Sequence, residues 1–346
     1  MQSLDPHQRP PDSIRHVYKK YQKMKLHDLD RDSDILDLSR PLSTSQQAKV
    51  LVKELDLEPV TASFRSFAGD VEPEGPTSPP LAYEHRDMPG LHIVPDLLPP
   101  EVQVLLLSRL LHRDLSDPSH LTNIHTHYNV SYPQGQASFF SYPPTSSETL
   151  ASPLDPSVHR PLSIAQLLNK KIRWTTLGGQ YDWTEKRYPD SAPPTFPPDI
   201  KQLLEGIFPA TKAEAAIVNL YSPGDTLSVH RDVAETSGTG LISMSIGCDA
   251  IFIIGTSASE PAADGHSDNP EKILTLRLRS GSAVYMSGTS RFAWHGVPQI
   301  VPGTCPDYIQ NWPGSQNKEE GDSEYEEWRG WMSGKRINLN VRQMWE

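Results

Sequence analysis

The sequence predicts an α+β fold whose core is two packed β-sheets, with helices gathered ahead of them. Two observations carry this expectation. Beyond residue 164, short runs of strand-forming residues recur between glycine turns, the pattern of a sandwich or barrel. Before them, apolar residues recur at helical spacing in separate stretches, and helices segregated from strands mark an α+β architecture.

Taken in order, Ile14, Val17, Tyr18, Tyr21 and Met24 share one helical face, with Asp12 or Ser13 placed to cap it. The acidic stretch 28–40 ends that helix. Residues 66–90, rich in Pro, Gly and acid, read as a linker or loop. "GLHIVPDLLPPEVQVLLLSRLLHRD" gives a short strand, a turn and an amphipathic helix near 99–112, and residues 114–160 read as irregular. "IRWTTLGGQYDW" places strand formers around a glycine pair, and "PDIKQLLEGIF" (198–208) reads as a helix. Then come the strands "AAIVNLY", "TLSVH", "LISMSIG", "AIFIIG", "KILTLRLRS", "SAVYMSG" and "RINLNVRQM", broken by excursions at 257–271 and 302–330.

Composition narrows the function classes. The net charge of −11 argues against a protein that coats nucleic acid by charge alone, so any such contact must be local. Two cysteines, Cys248 and Cys305, suit neither a disulfide framework nor a Cys-rich zinc site, and fit a reducing compartment. No apolar run approaches the ~20 residues of a membrane helix, so no membrane partner is expected. The N-terminus has no secretory h-region. A cytoplasmic or nuclear monomer is expected, with mitochondrial import left open by the basic "IRHVYKKYQKMK".

The informative stretch is "NLYSPGDTLSVHRDVAE". His230 and Asp232 stand two apart after a turn and an alternating run, a spacing that shares one face of a strand but not of a helix. Such a pair alone also describes an ordinary strand end. In "SGTSRFAWHGVP", His295 follows an apolar strand and precedes a turn, giving two imidazoles and one carboxylate. That facial triad leaves coordination positions open and suits Fe(II), although catalytic zinc uses similar ligands. The last strand favours iron. Arg336, Asn338, Asn340 and Arg342 alternate with Ile337, Leu339 and Val341, so one face carries four polar groups. A solvated outer face is the plain reading. A guanidinium forking onto a carboxylate is the functional one, and a dicarboxylate beside iron points to 2-oxoglutarate. Between 170 and 188, Lys170, Lys171, Arg173, Lys186 and Arg187 are interleaved with Trp174, Tyr181, Trp183 and Tyr188, which suits single-stranded nucleic acid.

These motifs resemble the AlkB family of Fe(II)/2-oxoglutarate dioxygenases, most closely the eukaryotic AlkB homologue 1 branch. The likeness rests on "NLYSPGDTLSVHRDVAE", "LISMSIGCDAIFIIG", "SGTSRFAWHG" and "RINLNVRQ", with "RWTTLGGQYDW" similar to the segment over the substrate pocket. The resemblance implies a double-stranded β-helix (jelly-roll) core with N-terminal helices packed on it. It divides the chain into an N-terminal helical extension and Pro-rich linker (1–90) and a dioxygenase domain (91–346). By the same resemblance His230, Asp232 and His295 bind Fe(II). Asn219, Tyr221, Arg336, Asn338, Asn340 and Arg342 hold 2-oxoglutarate, with Arg336 on its distal carboxylate, and Trp174 and Tyr181 contact the substrate base. The implied activity is oxidative demethylation of N-methylated bases in single-stranded or loop nucleic acid, tRNA or DNA. Dioxygen is consumed, and formaldehyde, succinate and carbon dioxide are released. Three positions depart from the family: Asn340 replaces a common Thr, Gly179 an aromatic lid residue of the bacterial founder, and Ala234 an acidic residue near the base. The alternatives are a protein (histone) hydroxylase or demethylase with the same centre, and a non-catalytic binding module.

Overall fold

Alternation with a period of two builds two sheets that face one another. The computed structural model describes residues 4–5, 7–69, 73, 75–182, 187–189, 191–257, 271–315 and 324–345. One sheet has eight strands, in the order Val50–Glu54, Leu81–His85, Leu91–Val94, Ala283–Met286, Leu241–Gly247, Arg336–Arg342, Ala215–Tyr221 and Trp174–Gly178. The other has five, in the order Ile35–Leu36, Lys272–Leu278, Ala250–Thr256, Trp294–Ile300 and Leu227–His230. Ile35–Leu36 joins its neighbour in parallel, and the pairings within the core are antiparallel. The whole is a jelly-roll carrying helices on its outer side.

The sheets meet over apolar residues drawn from both, among them Leu241, Phe252, Leu276, Val284, Met286 and Val297. The eight-stranded sheet turns its other face to the helices Leu57–Ala68, Pro100–Ser108 and Pro198–Ile207, where a second apolar cluster includes Ile337, Leu339 and Val341. The apolar side of Arg336–Arg342 thus backs onto helices, and its polar side looks between the sheets. The solvated-face reading of that strand does not hold. Helix crossing is close enough that a Cβ on Gly206 would lie 2.1 Å from Ser63 Oγ.

Several local expectations are corrected. The first 90 residues are more than helices and linker, because Ile35–Leu36, Val50–Glu54 and Leu81–His85 extend the sheets and Leu57–Ala68 forms a helix. Their short, partly polar strands carry no clear alternation. Residues 114–160 are not wholly irregular. Tyr128–Val130 and Thr149–Pro153 pair with each other and with Leu162–Ser163 in a small third sheet. No helix among the described residues is long and apolar enough to cross a membrane.

The N-terminal helix, Asp12–Lys23, is led by Pro11 without a side-chain cap. Asp12 instead pairs with Arg9 and Arg15, and Ser13 bonds Glu271. Asp12 in its first turn and Lys20 and Lys23 in its last complement the helix dipole. Its buried face, Ile14, Tyr18 and Tyr21, lies on the outer side of the five-stranded sheet. Ile14 and Tyr18 pack there with Ile253 and with Val229 and Trp294, which directly precede His230 and His295 in the chain. Truncating fully buried Ile14 to Ala should cost about 2–5 kcal/mol by lost transfer energy and cavity formation. Urea unfolding monitored by circular dichroism checks this; an unchanged midpoint would mean the helix is not docked on these strands.

Candidate active site

Two neighbouring strands deliver the imidazoles. Leu227–His230 and Trp294–Ile300 run antiparallel with His230 directly opposite His295, and the ring centroids are 4.4 Å apart. His295 is the second residue of its strand, not the end of one as its sequence context suggests. The strand bearing His230 stops there, so Asp232 reaches the site from the loop beyond, not along a shared strand face.

Each imidazole is fixed by its own chain. Nδ1 of His230 donates to the Ser228 carbonyl (2.9 Å), and Nδ1 of His295 donates to the Ala293 carbonyl (3.0 Å). A carbonyl can only accept, so both rings keep the proton on Nδ1 and present the Nε2 lone pair. Both Nε2 atoms lie 3.7 Å from Asp232, one from each carboxylate oxygen. The three residues offer ligand atoms within 4.8 Å of one another, the one such group among the described residues.

Electrostatics hold this set in a ligating state. Burial pushes the Asp232 carboxyl up, but Arg342, His230, His295 and Arg291 outweigh it, and the net shift is well below the usual carboxylate range. Burial, then the neighbouring His230, lowers His295 to about 4, which leaves it neutral near pH 7. Two imidazoles and a carboxylate form the facial triad of non-haem iron sites.

The same cavity is lined by the triad and by Asn219, Arg336, Asn338, Asn340 and Arg342. Antiparallel register explains the shared face: Asn219 stands opposite Asn338, and Arg336 opposite Tyr221. Arg336 is 1 % exposed, and burial lowers it to about 10. Among the described residues its terminal nitrogens bond neutral acceptors, Ser245 Oγ (2.7 Å) and the carbonyls of Cys248 (3.1 Å) and Leu278 (3.4 Å). Its Nε and the buried Tyr221 hydroxyl have no hydrogen-bond partner among the described residues. A buried cation and a buried hydroxyl left this way are costly unless an anionic ligand completes them. Tyr221 itself is not among the residues lining the cavity. Asn338 donates to Ser243 Oγ and the Met244 carbonyl and accepts from Asn340, so both amides are oriented. Arg342 is turned toward Asp232 Oδ2, at 3.2 Å.

The expected base contacts are less central. Trp174 is opposite Asn219 on the edge strand, hence on the cavity face but one strand out, and neither it nor Tyr181 lines the cavity. Burial raises the Tyr181 hydroxyl to about 12, and the next contribution is the charge of Asp232, which locates this ring near the triad. Tyr181 meets Tyr188 edge to face at 5.3 Å. Arg173 is paired with Asp225, so it is not a free charge, while Trp183 and Lys186 lie outside the described residues. Sequence reasoning missed Glu235 and Arg291, a buried pair 3.0 Å apart behind Asp232. Arg291 inside the apolar "SRFAWHG" was the available signal.

A family model described as the 2OG-Fe(II) oxygenase superfamily matches residues 90–342, most of the chain. The chain belongs to the 2OG-Fe(II) oxygenase superfamily. Within this superfamily it is 44% identical to the "N6-methyladenosine RNA demethylase ALKB1" of Pyricularia oryzae, over 99% of this chain and 98% of that one. It is 52% identical to the "N6-methyladenosine RNA demethylase ALKBH" of Cryphonectria parasitica, over 64% of this chain and 99% of that one. It is 40% identical to the "tRNA demethylase abh1" of Schizosaccharomyces pombe, over 77% and 82%. These relatives join it to the AlkB homologue 1 group of 2OG-Fe(II) oxygenases. Membership brings Fe(II) and 2-oxoglutarate as cofactors, and the His pair, the carboxylate and an Arg336 whose described partners are neutral fit both.

A charge-assisted bond to a carboxylate contributes roughly 1.5–3 kcal/mol, so Arg336→Ala should raise half-saturating 2-oxoglutarate about ten-fold or more. Arg336→Lys should recover only part, since it cannot fork. Isothermal titration of the Fe(II)-loaded chain measures this, and wild-type affinity in both variants removes the assignment.

Proposed function

We propose that this chain is an Fe(II)/2-oxoglutarate-dependent demethylase of N-methylated nucleobases in tRNA or DNA, acting as a monomer with dioxygen as co-substrate. The observation that carries this reading is the cavity that joins the His230, Asp232 and His295 triad to a buried arginine whose hydrogen-bond partners among the described residues are all neutral. The three relatives, each named as an RNA or tRNA demethylase, support the substrate class. The free thiols of Cys248 and Cys305 support a reducing compartment, cytoplasm or nucleus.

In this reading His230, Asp232 and His295 hold the iron, and Arg336 with the Tyr221 hydroxyl takes the distal carboxylate of 2-oxoglutarate. Asn219 and the oriented amides of Asn338 and Asn340 line its path. When bound, iron and 2-oxoglutarate supply the oxidising chemistry with dioxygen that hydroxylates an N-methyl group, which departs as formaldehyde while succinate and carbon dioxide form. The protein's own part is to orient and to exclude water. Arg342, then Arg291, keep Asp232 ionised, and the Nδ1 bonds keep both rings aimed inward. A methylated base must leave its stack to enter so enclosed a cavity, so single strands and loops are favoured. Trp174 and Tyr181 offer aromatic faces on that approach. Gly179 has no room for the founder's lid side chain, since a Cβ there would lie 2.8 Å from Ala215 Cβ. Base recognition therefore differs from that of the founder at this point.

The test is a panel of methylated single-stranded RNA, methylated DNA and methylated histone peptides, read by formaldehyde release and mass spectrometry of the product. Demethylated nucleoside without peptide product is expected. Peptide turnover alone would replace this reading with the protein-substrate one, and turnover of neither with intact 2-oxoglutarate binding would favour a binding module.

Stacking on an aromatic ring contributes about 1–3 kcal/mol per base, so Trp174→Ala and Tyr181→Ala should each cut demethylation several-fold or more. Substrate-free 2-oxoglutarate decay should largely persist in both. Parallel loss of both activities with thermal stability would make these rings structural.

A further inference from the structure

The loop that carries Asp232 has no regular secondary structure between His230 and Leu241, although a metal ligand needs a fixed position. What fixes it is a guanidinium from elsewhere. Arg291 is 1 % exposed and sits on the 3-10 turn Gly288–Phe292, just ahead of the strand that begins with Trp294 and His295. It reaches three points of the loop: Nη1 donates to the Asp232 carbonyl (2.8 Å), Nε to the Thr239 carbonyl (2.9 Å) and Nη2 to Glu235 Oε2 (3.0 Å). One side chain therefore ties the His295 element to the backbone of Asp232.

Glu235 completes the circuit. Its side chain is 1 % exposed, and its second oxygen lies 3.3 Å from Arg342 Nη1. Arg342 in turn reaches Asp232 Oδ2 through Nη2. The carboxylate thus bridges two buried arginines, one gripping the backbone of Asp232 and the other its side chain. The Tyr188 hydroxyl lies 3.4 Å from Arg342 Nη1 and 3.5 Å from Glu235 Oε1, so the aromatic wall that includes Tyr181 rests on the same cluster.

We infer that Glu235 and Arg291 are positioning residues that set the orientation of the Asp232 carboxylate toward the metal, and so tune metal affinity without touching it. This rests on the proposed ligand role of His230, Asp232 and His295. Outer partners of metal ligands characteristically change affinity about 10–100-fold when altered. A merely structural pair would lower stability and leave the affinity of the folded chain unchanged.

The experiment is anaerobic equilibrium dialysis of Fe(II) against the full chain, with thermal unfolding and 2-oxoglutarate titration at saturating metal alongside. Glu235→Gln keeps the shape and removes the charge, and should weaken Fe(II) binding about 10–100-fold while 2-oxoglutarate affinity stays near wild type. Glu235→Asp keeps the buried charge and withdraws the carboxylate by one methylene, and should shift metal affinity in the same direction by less. Wild-type metal affinity in either folded variant overturns the inference, whatever the change in unfolding temperature. Asp232→Ala is carried in parallel. If that chain binds Fe(II) as wild type does, the ligand assignment itself fails, which is distinct from failure of the Glu235 variants alone.

Discussion

Asp232 carries a negative charge whose side chain is only 14 % exposed, and the centre of the molecule is arranged around keeping it ionised. Burial alone would neutralise such a carboxyl. The balance is reversed by guanidiniums delivered from separate elements, Arg342 from the strand facing the cavity and Arg291 from the turn before His295, while His230 and His295 converge on it from paired strands of the opposite sheet. These groups converge only if the two sheets pack at the right spacing and each strand keeps its register. A slip of one residue in Arg336–Arg342 would send its four polar groups into the helix-backed core and bring Ile337, Leu339 and Val341 to the cavity. The apolar core between the sheets and the charged cluster at its edge are thus a single constraint.

The polar strand face was legible because it follows from short-range periodicity, and the triad from its residue types, since Asp232 reaches the site from the loop beyond His230. Arg336, Asn338, Asn340 and Arg342 are fixed by alternation within one strand, and no tertiary knowledge is needed to see that they share a side. The long strands Ala215–Tyr221, Leu241–Gly247 and Ala250–Thr256 were legible for the same reason, being strongly apolar and bounded by turns. What escaped depends on partners distant in the chain. Glu235 and Arg291 have no period, and their meaning comes from a contact across 56 residues. Ile35–Leu36 is a strand only because Lys272–Leu278 lies beside it. His295 was assigned to the wrong end of a strand because "GVP" reads as a turn. In the fold Pro298 lies within Trp294–Ile300, whose pairing with Ala250–Thr256 shifts register between Ile251 and Ile253, as a bulge would.

The N-terminal extension belongs to the same assembly. Ile14 and Tyr18 pack behind Val229 and Trp294, and Arg231 lies over the Trp294 ring at 4.3 Å while bonding Gln8. The strands of His230 and His295 are thereby clamped from outside by the first turns of the chain and from inside by the charged cluster. Substrate choice is proposed to rest on Trp174, Tyr181 and the crowded position of Gly179.

Diffraction from the chain with Mn(II) and 2-oxoglutarate, a redox-silent stand-in for the iron complex, bears most directly on the account. The metal should sit on His230 Nε2, His295 Nε2 and Asp232, with the distal carboxylate of 2-oxoglutarate on Arg336 and the Tyr221 hydroxyl. Density that seats the keto acid elsewhere while Arg336 Nε stays without a partner, or a metal bound away from the three ligands, would contradict it.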